Sequence, residues 1–509
     1  MLKEDARRSA VATDPRGLFL DDALRWLTPL LAVVTLSFAN GRHLVPALAW
    51  IAPALLLASL RRRSSKVATA VALGVMAVVS AVQWTGVVPL PAPWSALAAA
   101  ALGPVLAIPY LLDRLVGASL SPSLRLWIFP CAQVALEWLI YVVSPFASFG
   151  ALAYTQVDFP TVTQVASLGG LWAVSFVVAL AGSTGAALLT TGGRRDLRLA
   201  APFALVLGGA LAFGALRLAG AGSGPTLRVA GLAAKPADLT VIAATRGGCG
   251  ADGCAAARTD ARAKFNAMVA RTQEAARRGA QVVVWSEVAG TVFADEQPAA
   301  LAALSALARR ERITLAAALW IVQPGVRLWE NKVLLFGPDG RRLASYLKSH
   351  PVPGDLDIIG SGVPPVVPTS LGRLGLAICY DMDFPALSRG AADADVMLVP
   401  GSDWAAIDPL HPRMVALRAV ENGFAVVRPS RQSLSVAFDA YGRQLAQVPW
   451  NGSATPTLAA LVPLLSSRTI YSRVGDVLPL FAIIALTMLA ATSARPQLGR
   501  RRELAGISH

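Results

Sequence analysis

The chain has 509 residues, of which 55% are hydrophobic and only 15% are charged, and its mean hydropathy is +0.54. A soluble protein carries nearer a quarter charged residues, so the composition excludes an ordinary soluble protein and predicts an integral membrane protein. The net charge of +15 does not indicate nucleic-acid binding, because the basic residues form short clusters between apolar segments without interleaved aromatic residues.

Long apolar runs dominate the first 220 residues, and one more lies near the end of the chain. A helix that crosses a bilayer needs about 20 mostly apolar residues. The predicted spans are 23–39, 44–60, 67–89, 95–112, 126–143, 161–191, 198–219 and 475–494. Because the 161–191 run is longer than one span requires, we expect one of its ends to project or to lie at the membrane interface.

Lysine and arginine residues are concentrated in alternate loops between these spans. The N-terminus and the even-numbered loops carry them, whereas the odd-numbered loops are nearly free of them, with Arg42 as an exception. Since basic loops stay in the cytoplasm, both termini are predicted inside and the polar region outside. The predicted organisation is a cytoplasmic N-terminus (1–22), a membrane domain of about seven helices (23–220), a catalytic-type domain (221–474), a closing helix (475–494) and a cytoplasmic tail (495–509).

The polar region alternates strand and helix patterns, which predicts a layered α/β domain. Strands are predicted at 227–231, 281–287, 313–322, 332–337, 342–346, 374–379, 395–400, 423–429 and 434–439, and helices at 259–278, 299–312 and 414–421.

Three reactive side chains lie at or just after predicted strand ends: Glu287, Lys348 and Cys379. Functional groups gather at strand ends in open α/β sheets. Cys379 is the candidate nucleophile, Glu287 can take the thiol proton, and Lys348 can stabilise an oxyanion. Considered singly, each residue also has a structural explanation. Cys379 can be a buried small hydrophobe, Glu287 a cap or surface residue, and Lys348 a solvated charge.

Histidine is the usual proton acceptor for a catalytic thiol. The chain has only four histidines, which are His43, His350, His411 and His509. A carboxylate base with a lysine cation performs the same task.

Together with their neighbours, the three residues resemble the nitrilase, or carbon–nitrogen hydrolase, superfamily. The matching stretches are Val-Val-Trp-Ser-Glu287, the run from Asn331 through Gly-Pro-Asp-Gly340 to Lys348-Ser-His-Pro-Val-Pro353, and Gly375 to Asp381. The resemblance implies an α-β-β-α sandwich and a thioester-forming triad, with Glu287 as base, Lys348 as oxyanion stabiliser and Cys379 as nucleophile. It also implies supporting roles for Asn331, Asp355, Tyr380, Asp381 and Glu421.

The membrane part is similar to that of the apolipoprotein N-acyltransferases. The similarity rests on the topology, on the segment from Glu137 to Gln156, and on Arg418-Ala-Val-Glu421. It implies a phospholipid acyl donor and a diacylated lipoprotein acceptor. It also implies a multi-pass protein of the bacterial inner membrane, with the catalytic domain on the periplasmic side. We expect a monomer that uses no cofactor and no metal ion.

Four positions depart from that family's pattern. The Val352–Asp355 loop is one residue shorter and carries Asp, Asp381 replaces Glu, the Ser402-Asp403-Trp404 segment is compressed, and an Asn-rich stretch is missing at 430–433. These departures leave two other functions open. One is a membrane-tethered amidase or nitrilase that acts on a small amide or nitrile, and the other is a non-enzymatic transporter or scaffold.

The remaining cysteines have separate expectations. Cys249 and Cys254 lie five residues apart in a loop predicted outside, where an oxidising environment favours a local disulfide. A metal site there is disfavoured, because no second Cys or His pair accompanies them. Cys131 lies within a predicted span and is expected to serve packing.

Overall fold

The computed structural model describes residues 27–87, 90–190, 197–222, 224–235, 239–249, 254–355, 357–452, 455–465 and 468–506. The predicted cytoplasmic segment 1–22 lies outside the described residues. The chain divides into two compact units, one drawing on Met1–Gln133, Val178–Phe203 and Ile484–His509, the other on Val134–Val177 and Ala204–Ile483.

Among the described residues, six helices are long and apolar enough to cross a membrane. Helix is the expected form because backbone polar groups in lipid must be satisfied within their own segment. The apolar helices before the α/β domain are α1 (Leu27–Ser37), α2 (Leu48–Arg61), α3 (Ser65–Trp84), α4 (Trp94–Ser119), α5 (Pro122–Val143), α6 (Leu171–Thr190) and α7 (Leu197–Ala219). Over the described residues, α1 and α2 are shorter than a full span. The prediction of a polytopic helical membrane protein is confirmed, and the exact domain boundaries stay a prediction.

The long apolar run at 161–191 is interrupted rather than continuous. Two short helices, Pro160–Thr163 and Ala166–Gly169, precede α6. Gly170 separates them from α6 with φ of +70°, and a Cβ atom there would lie 2.5 Å from the Tyr471 ring. A left-handed, crowded position of this kind favours glycine, so the membrane helix begins only at Leu171.

The α/β domain lies in the second unit. Its strands are β1 (Thr226–Leu232), β2 (Val282–Trp285), β3 (Gly290–Phe293), β4 (Thr314–Val322), β5 (Glu330–Phe336), β6 (Arg342–Leu347), β7 (Val366–Thr369), β8 (Gly372–Leu376), β9 (Val396–Leu398), β10 (Gly401–Ser402), β11 (Ala425–Arg428), β12 (Ser430–Arg431), β13 (Ser435–Phe438), β14 (Gln444–Val448) and β15 (Thr457–Pro463). The later helices are α8 (Leu239–Arg246), α9 (Ala255–Arg277), α10 (Gln297–Glu311), α11 (Pro385–Gly390), α12 (Leu410–Asn422), α13 (Ile470–Val474) and α14 (Val477–Gly506), whose apolar part is Val477–Ala494.

Two mixed sheets form the centre of this domain. One has the strand order β15-β1-β2-β4-β5-β6, with β3 beside β4, and the other has the order β14-β13-β11-β9-β8-β7. Their inner faces share one core, in which Val284 of the first sheet and Leu398 of the second are both fully buried. Helices α9 and α10 cover the outer face of the first sheet, and α12 covers that of the second. The predicted α-β-β-α sandwich is therefore confirmed.

Two differences from the predicted elements bear on the site. The strand predicted to run to Cys379 ends at Leu376, because Cys379 has φ of +46° and opens a 3₁₀ turn, Cys379–Asp383. The edge strands β7, β14 and β15 were not predicted. Their residues are half exposed, so they lack the continuous apolar run that identifies a central strand.

The shared core generates a stability prediction. Leu398→Ala should lower the free energy of unfolding by about 2–5 kcal/mol, because it leaves a cavity between the sheets. Leu461→Ala is the matched control, since Leu461 is 60% exposed on β15, and should change the value by no more than about 0.5 kcal/mol. Denaturant unfolding of the detergent-solubilised proteins measures both, and equal losses would contradict this core assignment.

Candidate active site

The three predicted triad residues are delivered by loops that follow strands of both sheets. Glu287 lies two residues after β2, and its N–H donates to the Gly401 carbonyl at 3.2 Å. Lys348 directly follows β6, and its N–H donates to the Asn331 carbonyl at 2.9 Å. Cys379 follows β8, and its N–H donates to the Pro400 carbonyl at 2.8 Å. All three side chains are buried.

Glu287 and Lys348 form a buried ion pair. Lys348 Nζ lies 2.7 Å from Glu287 Oε1, and Asn331 Nδ2 donates to the same oxygen at 2.8 Å. Burial alone would raise the pKa of Glu287, but the Lys348 ammonium and these two hydrogen bonds hold it below its usual value. Burial likewise would lower the pKa of Lys348, and the negative charge of Glu287 holds it well above its usual value. The resting pair is therefore fully ionised.

The Cys379 thiol lies in the same electrostatic environment. Burial raises its pKa well above the usual range, and the negative charges of Glu287 and Asp403 add to this effect. The cations Arg428 and Lys348 lower the pKa only in part. The sulfur rests as a neutral thiol, so a proton must leave it when it acts as a nucleophile.

The thiol also borders a second group of buried charges. Arg428 Nη2 donates to Cys379 Sγ at 3.5 Å and to Asp403 Oδ1 at 2.9 Å. The imidazole of His411 contacts Asp403 through Nδ1 at 2.6 Å and Asp383 through Nε2 at 2.8 Å. Burial would lower the pKa of His411, but the two carboxylates raise it to about 9.

Sequence reasoning noted His411 only as one of four histidines and did not identify Arg428 as part of the site. The available signal was an arginine at the end of an otherwise apolar β11 stretch, Ala425–Arg428. A buried charge in such a strand must be paired.

Cys379, Asp403 and His411 also place ligand-type atoms within 4.8 Å of one another. Arg428 donates to both the sulfur and the Asp403 carboxylate, so a cation already occupies the centre of the group. Each nitrogen of His411 contacts a carboxylate. The donor set therefore fits a network centred on arginine rather than a metal centre.

Asp381 connects the segments that carry Lys348 and Cys379. Its carboxylate is fully buried between the end of β6 and the end of β8. The donors are Tyr346 Oη (3.0 Å), Ser349 N (3.2 Å), His350 N (2.8 Å) and Ile378 N (3.0 Å). Four such bonds fix the two segments relative to one another, so Asp381 positions residues of the site without contacting the sulfur.

The acidic residues beside Lys348 differ in burial. Asp355, predicted to support the site, reaches Lys348 Nζ only at 3.7 Å with a side chain 47% exposed. Asp357, which the sequence did not single out, is buried and accepts from Asn331 Nδ2 at 3.0 Å and from Trp320 Nε1 at 3.1 Å. Asn331 thus joins Glu287 to Asp357 directly.

Tyr380 and Glu421, which were also predicted to support the site, contact residues that follow α5 in the chain. Tyr380 Oη donates to the Pro145 carbonyl. Glu421 Oε1 accepts from Leu171 N at 2.6 Å and from Arg418 Nη2 at 2.9 Å, and burial raises the pKa of Glu421 to about 7. Glu421 therefore belongs to a buried network with α6 and does not contact the triad.

The expected disulfide between Cys249 and Cys254 is present, with Cα atoms 4.9 Å apart. Cys131 is buried in α5 as a free cysteine.

Two family models match the chain. The model described as "Apolipoprotein N-acyltransferase N-terminal domain" matches residues 32–184, and the model described as "Carbon-nitrogen hydrolase" matches residues 243–465. The first covers most of the apolar helices, and the second covers most of the α/β sandwich with all three predicted triad residues.

Individual proteins also match the chain. Apolipoprotein N-acyltransferase from Bradyrhizobium diazoefficiens is 26% identical over 398 residues, covering 70% of this chain and 71% of that protein. Its namesake from Gloeobacter violaceus is 32% identical over 173 residues, which are 33% of this chain and 31% of that protein. The chloroplastic omega-amidase of Arabidopsis thaliana is 29% identical over 35% of this chain and 56% of that protein. A solved amidase from Nesterenkonia sp. aligns with 23% identity and a TM-score of 0.38, covering 47% of this chain and 91% of that one.

The raised pKa of His411 predicts a pH-dependent stability. A histidine whose folded pKa is about 9 and whose unfolded pKa is about 6.5 contributes fully below pH ~6.5 and loses that contribution as the pH rises to about 9. The free energy of unfolding should fall by about 3 kcal/mol across this window in the wild type. Denaturant unfolding at a series of pH values should give a flatter profile for His411→Gln. His43→Gln, at an exposed histidine, should keep the wild-type slope, and an unchanged slope in His411→Gln would refute the assignment.

Proposed function

The chain belongs to the apolipoprotein N-acyltransferase family, and from this membership we propose that it transfers an acyl chain from a phospholipid to a lipidated protein. The acceptor is the N-terminal amino group of a diacylated cysteine in an apolipoprotein. In this proposal Cys379 is the nucleophile, Glu287 the base and Lys348 the oxyanion stabiliser. The observation that carries it is the buried Glu287–Lys348 pair, 2.7 Å apart, in the same electrostatic environment as the thiol.

The first half-reaction acylates the enzyme. The Cys379 thiol proton passes to a Glu287 carboxylate oxygen while the sulfur attacks the ester carbonyl carbon of the phospholipid. The charge that develops on the carbonyl oxygen is stabilised by the Lys348 ammonium. When the tetrahedral intermediate collapses, the carbon–oxygen bond breaks. The lysophospholipid alkoxide takes the proton from Glu287, which leaves a thioester on Cys379.

The second half-reaction restores the thiol. The acceptor amine attacks the thioester carbonyl and gives a proton to Glu287, and the amide forms as the Cys379 thiolate departs. Glu287 then returns the proton to the sulfur. Glu287 is a weak base and Cys379 is a weak acid in the resting state. Proton transfer is therefore favourable only together with carbon–sulfur bond formation, which moves the negative charge to the oxygen beside Lys348.

Acyl-enzyme formation tests the proposal. Detergent-solubilised protein incubated with acyl-labelled phospholipid should acquire a hydroxylamine-labile label, and Cys379→Ala should acquire none. Glu287→Gln should slow labelling by roughly 10²–10⁴-fold, since a general base is lost. Lys348→Met should slow it by about 10²–10³-fold, since an oxyanion donor is lost. Measuring label per protein over time gives these rates.

Cys131→Ala is the matched control, because Cys131 is the other free cysteine of the described residues, and it should label as the wild type does. Label retained in Cys379→Ala would reject the thioester. Hydrolysis of a soluble amide by wild-type protein that takes no label from phospholipid would select the membrane-tethered amidase instead.

The protein is a membrane protein, and we place it in the bacterial inner membrane with the α/β domain on the periplasmic side. This assignment rests on the alternation of basic loops in the sequence and on the family. A bilayer position brings the phospholipid donor to the site without transfer through water.

Protease accessibility tests the orientation. A site for an added protease inserted at Gly325, where the chain forms an open loop, should be cleaved in spheroplasts. A matching site fused after His509 should resist until the membrane is permeabilised. Immunoblotting distinguishes the two, and the opposite pattern would place the α/β domain inside.

A further inference from the structure

Arg431 is a cation of the site that the proposed acyl transfer does not use. It ends the short strand β12, which pairs in parallel with β10 so that Arg431 lies opposite Ser402. Arg431 Nε donates to Ser402 Oγ at 2.7 Å, and the Ser402 carbonyl accepts from Cys379 Sγ at 3.4 Å. One residue therefore contacts both the guanidinium and the thiol.

The charge of Arg431 acts on the catalytic groups. Its electrostatic neighbours are Glu287, Cys379, Asp355 and Asp357, in decreasing order of effect. Lys348 already neutralises Glu287 at 2.7 Å, and Asp357 accepts its hydrogen bonds from Asn331 and Trp320 rather than from Arg431. Among the described residues Arg431 forms no close ion pair, whereas Lys348, Arg428 and His411 each contact a carboxylate.

One nitrogen of Arg431 has no partner. Nη1 is buried and makes no hydrogen bond within the described part of the chain. Leaving a charged N–H buried without an acceptor is unfavourable, whereas the ion pairs of Lys348 and Arg428 are complete. The unpaired N–H belongs to a guanidinium that shares Ser402 with the thiol. It indicates a bound acceptor oxygen, and guanidinium groups prefer the oxygens of carboxylate and phosphate.

We propose that Arg431 binds the phosphate group of the phospholipid acyl donor and thereby holds the donor's ester carbonyl at Cys379. This inference rests on the proposed function. A glycerophospholipid joins its ester and its phosphate through a short glycerol backbone, so an anion site must lie close to the sulfur. The shared contact with Ser402 meets this requirement. The altered stretch at 430–433 then has a role, because it supplies a donor-binding cation.

Binding without turnover tests this role directly. In the Cys379→Ala background, titration calorimetry measures the Kd of dihexanoylphosphatidylglycerol, of dihexanoylglycerol and of inorganic phosphate. Arg431→Gln should raise the Kd of the phospholipid about 10-fold and that of the uncharged lipid less than about 2-fold. Arg431→Lys keeps the positive charge but loses the planar guanidinium with its paired N–H donors. Its Kd for the phospholipid should therefore lie between those of Arg431 and Arg431→Gln. Arg373→Gln, at a partly exposed arginine paired with Asp395, is the matched control and should leave all values unchanged.

Two outcomes would overturn the assignment. One is an equal effect of Arg431→Gln on charged and uncharged lipids, and the other is binding of inorganic phosphate but not of phospholipid. With Cys379 intact, Arg431→Gln should raise the KM for the phospholipid as donor in the acylation of the enzyme. It should leave the kcat of that step within about 3-fold of the wild-type value. An equal fall in kcat for both lipids would instead place Arg431 at the oxyanion. Failure of wild-type protein to form any acyl adduct would reject the proposed function, while the calorimetry would still decide whether Arg431 binds phosphate.

Discussion

The buried ion pair between Glu287 and Lys348 is the constraint on which the site depends. Two charges this deeply buried are tolerated only in close contact and with their remaining hydrogen bonds satisfied, and loss of one partner costs about 3–5 kcal/mol. Asn331 meets part of this requirement by donating to Glu287 and to Asp357. The pair thus fixes the loops after β2 and β6 in one geometry. It also holds the Lys348 ammonium in place for the oxyanion-stabilising role proposed for it.

Cys379 lies between this pair and a second buried network centred on Arg428. Each set is largely balanced in charge, so the sulfur experiences cations and anions on both sides and remains a thiol. The left-handed backbone at Cys379 ends β8 early and turns the side chain out of the strand. Because β8 and β11 belong to one sheet and β2 and β6 to the other, the packing of the two sheets is what assembles both networks around one sulfur.

The segment after the sulfur is held by the chain that follows α5. Ser148 donates to the Asp383 carbonyl through N and Oγ, and Tyr380 donates to the Pro145 carbonyl. Arg418 of α12 contacts both Tyr154 and Glu421. These bonds explain why residues 134–177, predicted as part of the membrane domain, group with the α/β domain. The loop that carries the thiol is therefore built on residues adjoining membrane helices, which suits a reaction on lipid.

By itself, the sequence determined the membrane character, the layered α/β domain and the three candidate triad residues, and it favoured the disulfide without deciding it. Apolar length, strand and helix periodicity, and three ordered motifs are local properties of the chain. Only the tertiary structure decided which charges surround the thiol. The residues that supply these charges lie on different strands, turns and helices, and nothing local in the sequence predicts their partners. They are Arg428, Asp403, His411, Asp357 and Arg431. The same holds for the break at Gly170, where a Cβ atom would meet the ring of the distant Tyr471, and for the left-handed backbone at Cys379 that follows β8. Periodicity shows which face of an element is buried, but the packing of two sheets determines which polar groups meet across it.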